Sequence, residues 1–317
     1  MILVCGEALI DFFPAGGDDL AFVGRPGGSP FNVALGLARL GRPVGFFGGL
    51  SCDPFGRRLA AALAEEGVDL EAVVTSGHAS TVSFVLLSPE GVPSYAFIGE
   101  GAADREVTVR DLPRLDGSVA AIHVGSFSMM VEPVGSALAA LLARESRRRL
   151  VSYDPNVRPT VVADLGRWRT RLAALLPHVH VLKISAEDLS LLRPGGNVEA
   201  AASEWLAAGV KLVVVTFGVD GAVAWTARRR VAVPAAPVAV VDTVGAGDSF
   251  QAALLDGLAA AGALSIAAVG EIAEPALRAI LTRAATAAAI TCSRRGADLP
   301  RKGELEGQAQ MPDAVVR

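Results

Sequence analysis

"DTVGAGDSF", residues 242–250, closes a hydrophobic run and opens a stretch of small residues with helical period. Gly245, Ala246 and Gly247 let the backbone approach a ligand closely. The amides of residues 245–248 fall where a helix N-terminus presents unpaired N–H groups and the positive end of its dipole. The expected ligand is therefore a phosphate or a developing oxyanion. A P-loop would need Gly-Lys-Ser/Thr, and a dinucleotide fingerprint would need a third glycine near Phe250 and a following βαβ unit; neither is present. Instead a carboxylate, Asp248, stands among the amides. It repels a resting phosphate but suits a base that takes a proton from a hydroxyl as that hydroxyl attacks phosphorus. The plain alternative is that Asp248 complements the helix dipole and Ser249 helps cap the helix.

Working outward, β-branched runs alternate with alanine- and leucine-rich stretches of helical period at 30–40, 56–66, 134–144 and 197–208. That alternation is the signature of an α/β protein. Strands are expected at 2–5, 44–47, 121–124, 150–153, 179–184, 212–216 and 222–225, and their uniform apolarity predicts burial on both faces of a mostly parallel, doubly wound sheet. Segments 9–13, 20–23, 81–87 and 94–98 instead alternate apolar and polar residues between Gly/Pro/Asp turns. They read as hairpin strands of a small β-sheet lid inserted at about 9–25 and 80–100 of one domain. Residues 303–317 read as a loosely held tail.

At 317 residues and 51% hydrophobic the chain can bury a sizeable core, and its formal charge of −4 gives no electrostatic reason to expect nucleic acid or anionic lipid. The basic clusters "RESRRRL" (144–150) and "RRR" (228–230) read as solvated faces. Without a basic leader or an apolar run of roughly 18 residues, the reading is a soluble, cytoplasmic protein. Cys5, Cys52 and Cys292 lack ligand spacing and read as buried, inert thiols.

Ligands of open parallel sheets bind beyond the carboxyl ends of the strands. There the sequence places "GE" after Cys5, "GSF" after Val124, "DPNVR" after Tyr153, "SAED" after Ile184, "FGVDG" after Thr216 and "DTVGAGD" after Val241. A second constellation is "RPGGSPFNVALGLARLG", 25–41. Ser29 is a natural N-cap and Pro30 a natural first helical residue, which leaves Asn32 free beside the Gly27-Gly28 pair to meet sugar hydroxyls. Asp11, inside "LIDFF", is a candidate bidentate acceptor for two neighbouring hydroxyls. A turn-forming glycine pair and an edge-strand Asp facing water are the alternatives.

Together "GEALIDF", "PGGSPFNVALGLARLG", "DPFGRRLAAALAEEGVD", "DPNVRP", "VVTFGVDGA", "DTVGAGDSF" and "SRRGAD" resemble the ribokinase-like (PfkB) carbohydrate kinase family, and within it most resemble bacterial fructokinases. The resemblance implies ATP-dependent phosphoryl transfer to a primary sugar hydroxyl on an α/β core with a β lid. Asp248 becomes the catalytic base and the amides of 245–248 the anion hole. Asp11, Gly27, Gly28 and Asn32 would hold the sugar, Arg158 would reach substrate or phosphate unless it is a surface salt bridge, and Thr216, Gly218 and Gly221 would border ATP. Asp242, with carbonyls near Val244 and Gly296, matches the family's monovalent-cation position; whether potassium is used stays open. Where many relatives carry Asn-x-x-Glu to support magnesium waters, "SAED" puts Ser185 and Asp188, a shorter carboxylate that still reaches Mg2+ through water.

The sugar reads as fructose, with 2-keto-3-deoxygluconate and a ribose or riboside as rivals. A nicotinamide oxidoreductase is opposed by the missing fingerprint, and a catalytically silent sugar sensor by an intact Asp248. The apolar outer face of the lid, carrying Phe12, Val82 and Phe84, must be covered by the closed site or by a second subunit, which predicts a lid-to-lid homodimer.

Overall fold

Strands that are apolar at every position are stable only between two covered faces, and the chain builds its main sheet that way. The computed structural model describes residues 1–15, 21–87 and 93–308. β1 (Ile2–Cys5) leads into β2 (Leu9–Pro14), β3 (Phe22–Gly27), α1 (Ser29–Arg39), β4 (Val44–Phe47), β5 (Gly49–Ser51), α2 (Pro54–Glu65) and β6 (Val74–Ser76). A hairpin of β7 (Val82–Leu87) and β8 (Pro93–Ile98) follows, then β9 (Ala121–Gly125), α3 (Val134–Glu145), β10 (Leu150–Asp154), α4 (Leu165–Leu175), β11 (Val181–Ser185), α5 (Ala186–Leu192) and α6 (Val198–Ala207). The last part holds β12 (Leu212–Thr216), β13 (Ala222–Trp225), β14 (Arg230–Val233), α7 (Ala246–Ala260), α8 (Ile266–Val269), α9 (Glu274–Cys292) and α10 (Lys302–Gln308).

The eight-stranded sheet runs in the order β14-β13-β12-β11-β10-β9-β1-β4, parallel except where β13 meets β12 and β14. Its pleat sorts the side chains: Ile2 and Val4 join a core with α1, α2, α7 and α9, whereas Leu3 and Cys5 join another with α3, α4, α5 and α6. The sheet is thus doubly wound. A second sheet, in the order β3-β2-β7-β8, is the lid, and β5 pairs with β6 separately.

As its alternation demands, the lid sheet has a polar face, on which Asp11 meets the buried Ser83, and an apolar, dry face. On the dry face Phe12 stacks on Phe84 with ring centroids 5.1 Å apart and meets Phe55 of α2 edge-on at 5.7 Å. Part of this outer face is therefore covered by α2 of the same chain, a third solution beside the closed site and a second subunit.

Several other expectations are corrected. The run before "DTVGAGD" is not a strand: residues 234–241 are irregular, and Val240 and Val241 are exposed, because no neighbour offers them a ladder or a core. β14 was missed because it begins at Arg230 and alternates exposed with buried residues. Arg149, read as part of a solvated face, is an internal clip: its guanidinium donates to the carbonyls of Leu115 and Val119 and pairs with Glu145. All three cysteines are free, but Cys52 is exposed rather than buried. In the segment read as a loose tail, residues 303–308 lie in α10, pinned by a buried Leu305 and a Glu304–Arg294 ion pair. Residues 309–317 and Leu20, read as the start of the second lid strand, lie outside the described residues.

The contact that positions the ligand-binding end of the sheet is the crossing of α1 and α7. A Cβ added to Gly36 would stand 2.7 Å from the Cβ of Ala252 and 2.6 Å from Leu299 Cδ2, so the two helices approach as closely as their backbones permit. We expect Gly36→Val to push them apart and destabilise the protein by about 1–3 kcal/mol, the usual cost of overpacking. Urea unfolding measures this, and a variant as stable as the parent would show the crossing to be loose.

Candidate active site

α7 begins at a break that only glycine accepts easily. Gly245 precedes it with φ 79°, and a Cβ there would lie 2.6 Å from Ala297 Cβ. The Ala246 amide donates to the Thr243 carbonyl at 3.2 Å and the Ser249 amide to the Gly245 carbonyl at 2.8 Å. Of the four amides expected to face an anion, that of Ala246 is thereby engaged, while those of Gly247 and Asp248 meet no protein acceptor. Asp242 fixes the loop from behind, accepting from the Val244 amide at 3.0 Å and the Gly296 amide at 2.7 Å.

Asp248 is 9% exposed. Ser29 Oγ donates to its Oδ1 at 2.6 Å and Asn32 Nδ2 to its Oδ2 at 2.8 Å. Burial raises its pKa above the ordinary carboxylate value; the two hydrogen bonds, then the charge of Lys183, pull against that, and Asp154 pushes the same way as burial. This corrects two readings. Ser29 is not the cap of α1, because Gly28 with φ 103° occupies that position and no side chain caps the helix. Asn32 is not wholly free: one of its amide N–H groups goes to Asp248, which leaves its Oδ1 and other N–H open to a ligand. Ser249 is not a cap either; its hydroxyl shares a hydrogen bond with Thr291 at 2.6 Å.

From the lid, Asp11 faces the same cleft. It sits on β2, which is interior to its sheet, so the edge-strand explanation falls. Ser83 donates to Asp11 Oδ1, and a Cβ on Gly27 would lie only 2.1 Å from Asp11 Oδ2, so glycine makes room for the carboxylate. Burial raises the Asp11 pKa to about 6, against Ser83 and the Arg158 guanidinium, with Asp248 pushing it further up. Asp11 thus feels both Arg158 and Asp248. Arg158 forms no salt bridge among the described residues; one of its nitrogens donates to the Val157 carbonyl at 3.1 Å.

Asp188 is buried and raised to about 6, by burial first and by Asp154 second, with Arg158 and Lys183 opposing. Ser185 caps α5 by accepting from the Asp188 amide at 3.0 Å. Gly218 and Gly221 flank the turn after Thr216 with φ 57° and 91°, and a Cβ on Gly221 would strike the Val233 carbonyl at 2.1 Å, so local packing accounts for that glycine. Between lid and loop lies an opening of about 690 Å³ lined by Phe13, Val23 and Arg25 on one side and Val240, Asp242 and Gly296 on the other; Asp11, Arg158, Asp188 and Asp248 are not among its walls. Arg25 closes it at one point, donating to the Arg295 carbonyl at 3.0 Å.

Sequence reasoning missed the buried pair Lys183–Asp154, 2.7 Å apart, which joins the middle of β11 to the end of β10. The signal was present: "VLKIS" holds one charge in an apolar strand, and "DPNVR" opens on an acid. It also passed over Glu7, raised to about 7 by burial and accepting from Ser128, and Asp104, raised to about 6 and accepting from Thr81 at 2.5 Å. Both lie beneath the lid.

Among the described residues no group of three or more His, Cys, Asp or Glu could hold a metal ion, and no helix is long and apolar enough to cross a membrane. The family profile described as pfkB family carbohydrate kinase matches residues 1–302. A fructokinase of Rhizobium leguminosarum bv. trifolii is 40% identical over 280 residues, covering 88% of this chain and 86% of that protein. In solved structures, a fructokinase from Xylella fastidiosa with bound ATP superposes with TM-score 0.89 at 29% identity, covering 98% of both chains. One from Vibrio cholerae O395 with fructose, ADP and calcium bound gives 0.84 at 28%, covering 96% of this chain and 97% of that one.

Proposed function

Because the chain belongs to the pfkB family of carbohydrate kinases, we propose that it transfers the γ-phosphoryl group of ATP to a primary hydroxyl of fructose. The observation that carries this reading is the Asp248 carboxylate, buried at the start of α7 beside unpaired amides and aimed by Ser29 and Asn32. The fructokinase relatives support fructose as acceptor and ATP as donor.

The sugar hydroxyl loses its proton to Asp248 as its oxygen bonds to phosphorus, and the bond from phosphorus to the bridging oxygen breaks to leave ADP. Little covalent chemistry falls to the protein, so positioning and charge dominate. In this reading Asp11 accepts sugar hydroxyls beside its bond from Ser83, with Gly27 and Gly28 admitting the ligand to the backbone and Arg158 countering charge between Asp11 and Asp188. The amides of Gly247 and Asp248 receive the charge that grows on the phosphoryl oxygens. Thr216, Gly218 and Gly221 stand at the strand end where nucleotide would lie, and the lid keeps water out.

Magnesium fits this donor set only as an ion carried by ATP: among the described residues there is no three-ligand cage, and one buried carboxylate, Asp188, would hold it through water. When bound, it neutralises part of the triphosphate charge. Asp242 suits a monovalent cation less directly, since both its oxygens already accept amides and the surrounding carbonyls would have to supply the ligands.

A coupled assay of ADP release over fructose, 2-keto-3-deoxygluconate, ribose and a riboside tests the substrate; turnover with another sugar exceeding that with fructose would replace it. A positioned base contributes roughly 10²- to 10⁴-fold, so Asp248→Asn should lower kcat by about that much with the ATP KM retained. Removing a donor from the carboxylate has a signed effect. Asn32 holds the Asp248 pKa down, so Asn32→Ala raises it, and the acidic limb of the kcat/KM profile moves to higher pH. A limb that stays in place, or moves down, contradicts the assignment.

Asp11→Ala should raise the sugar KM and leave the ATP KM nearly unchanged; the reverse pattern moves Asp11 out of the sugar site.

A homodimer through the lid is supported by the apolar face that α2 leaves open, where Phe55 is 41% and Ile98 63% exposed. Light scattering should give about twice the 32.5 kDa chain mass. A monomer at micromolar concentration would leave that face to solvent and end the dimer proposal.

A further inference from the structure

The sugar-kinase reading leaves one buried cation without a task. Lys183 and Asp154 are almost wholly enclosed, with side chains 4% and 3% exposed. A buried ion pair is a poor device for stability, because desolvating both charges offsets most of their attraction. This one is also incompletely satisfied. An ammonium has three donors, and Lys183 uses one, on Asp154 Oδ2; Asp154 Oδ1 has no partner at all.

The spare donors lie beside the anion site. A Cβ placed on Gly247 would sit 3.2 Å from Lys183 Nζ, and that nitrogen is its sole neighbour within 4 Å. Gly247 lies inside α7 with no left-handed φ, so the backbone does not ask for glycine there, and helix propensity favours alanine. Glycine at 247 leaves the ammonium its place under the first turn, next to the amides that face the cleft. Around it stand Asp154, Asp188 and Asp248, each of which feels its charge or bonds to it, with Arg158 as the other local cation. His123, on the neighbouring β9, is held far down by burial and adds no charge.

We propose that Lys183, seated on Asp154, is a catalytic residue of phosphoryl transfer that donates from its free N–H groups to the oxygens of the phosphoryl group in the anion site. The chemistry suits a lysine: a compact point charge on a group whose negative charge is spread over three oxygens during transfer. No bond to Lys183 forms or breaks, and the hydroxyl proton still goes to Asp248. The proposal rests on the reading of Asp248 and α7 as the phosphoryl site.

The test removes the pair together, since removing one partner strands a buried charge. The double variant Lys183→Met/Asp154→Asn is assayed for thermal unfolding and for kcat and KM with ATP and fructose, beside Asp248→Asn. Loss of one preorganised donor costs roughly 10²- to 10³-fold in kcat. We expect a folded double variant with kcat down by about that factor and both KM values within about threefold. A folded double variant with kcat near wild type makes the pair structural and overturns the proposal, as does a raised ATP KM with unchanged kcat, which would mean a grip on the resting nucleotide. If Asp248→Asn also retains full kcat, the reading of the site itself has failed instead. Should the double variant not fold, Lys183→Gln, which still donates to Asp154 but carries no charge, is judged by the same thresholds.

Discussion

A carboxylate ionised inside a protein needs donors, and those of Asp248 come from a helix more than two hundred residues earlier in the chain. Burial raises its pKa, and the Ser29 hydroxyl and the Asn32 amide, 2.6 and 2.8 Å away, with the charge of Lys183 behind them, favour the ionised form there. Those bonds exist because α1 and α7 touch at Gly36 and Ala252, where a single added methyl group would not fit. Small residues on both helices are therefore as much a part of the site as the polar ones. The close crossing also sets the mouth of the cleft, since α1 follows directly from lid strand β3 and α7 from the loop that Asp242 holds.

The second constraint is an excess of negative charge at the strand ends. Asp11, Asp154, Asp188 and Asp248 interact there, with Lys183 and Arg158 as the cations they feel. Three of these carboxyls are raised by burial. Such a site favours a substrate that arrives with its own cations, and it holds a bare anion poorly. The lid brings Asp11 to this cluster on the polar face of its sheet, while the dry face rests on Phe55 of α2. One alternating strand thus serves both the chemistry and the attachment of the lid.

Much of this was legible in the amino-acid order. Uniformly apolar runs marked buried parallel strands, alternation marked the lid, and the loop at 242–250 stood out by its glycines and its acid at a helix start. Each of these signals is local, because periodicity and glycine placement report on the immediate surroundings of a segment. The errors have a matching origin. Val240 and Val241 are as apolar as any strand residue, but no neighbouring strand lies beside them; Arg149 is as charged as any surface residue, but carbonyls from a distant loop surround it.

The sequence by itself determined the layer architecture and put Asp248 in the first turn of a helix. It could not decide what Ser29, Asn32 and Lys183 do. A serine before a proline satisfies every local rule for a cap, and an asparagine one turn later looks unemployed. Only the packing of α1 on α7 shows that both serve one carboxylate. A lone lysine in a strand carries no local mark of its partner; its role comes from the parallel pairing of β10 with β11, which puts Asp154 at 2.7 Å, and from the missing side chain at Gly247. Hydrogen bonds and ion pairs act over about 3 Å in space irrespective of separation along the chain, so their partners are settled by the tertiary fold.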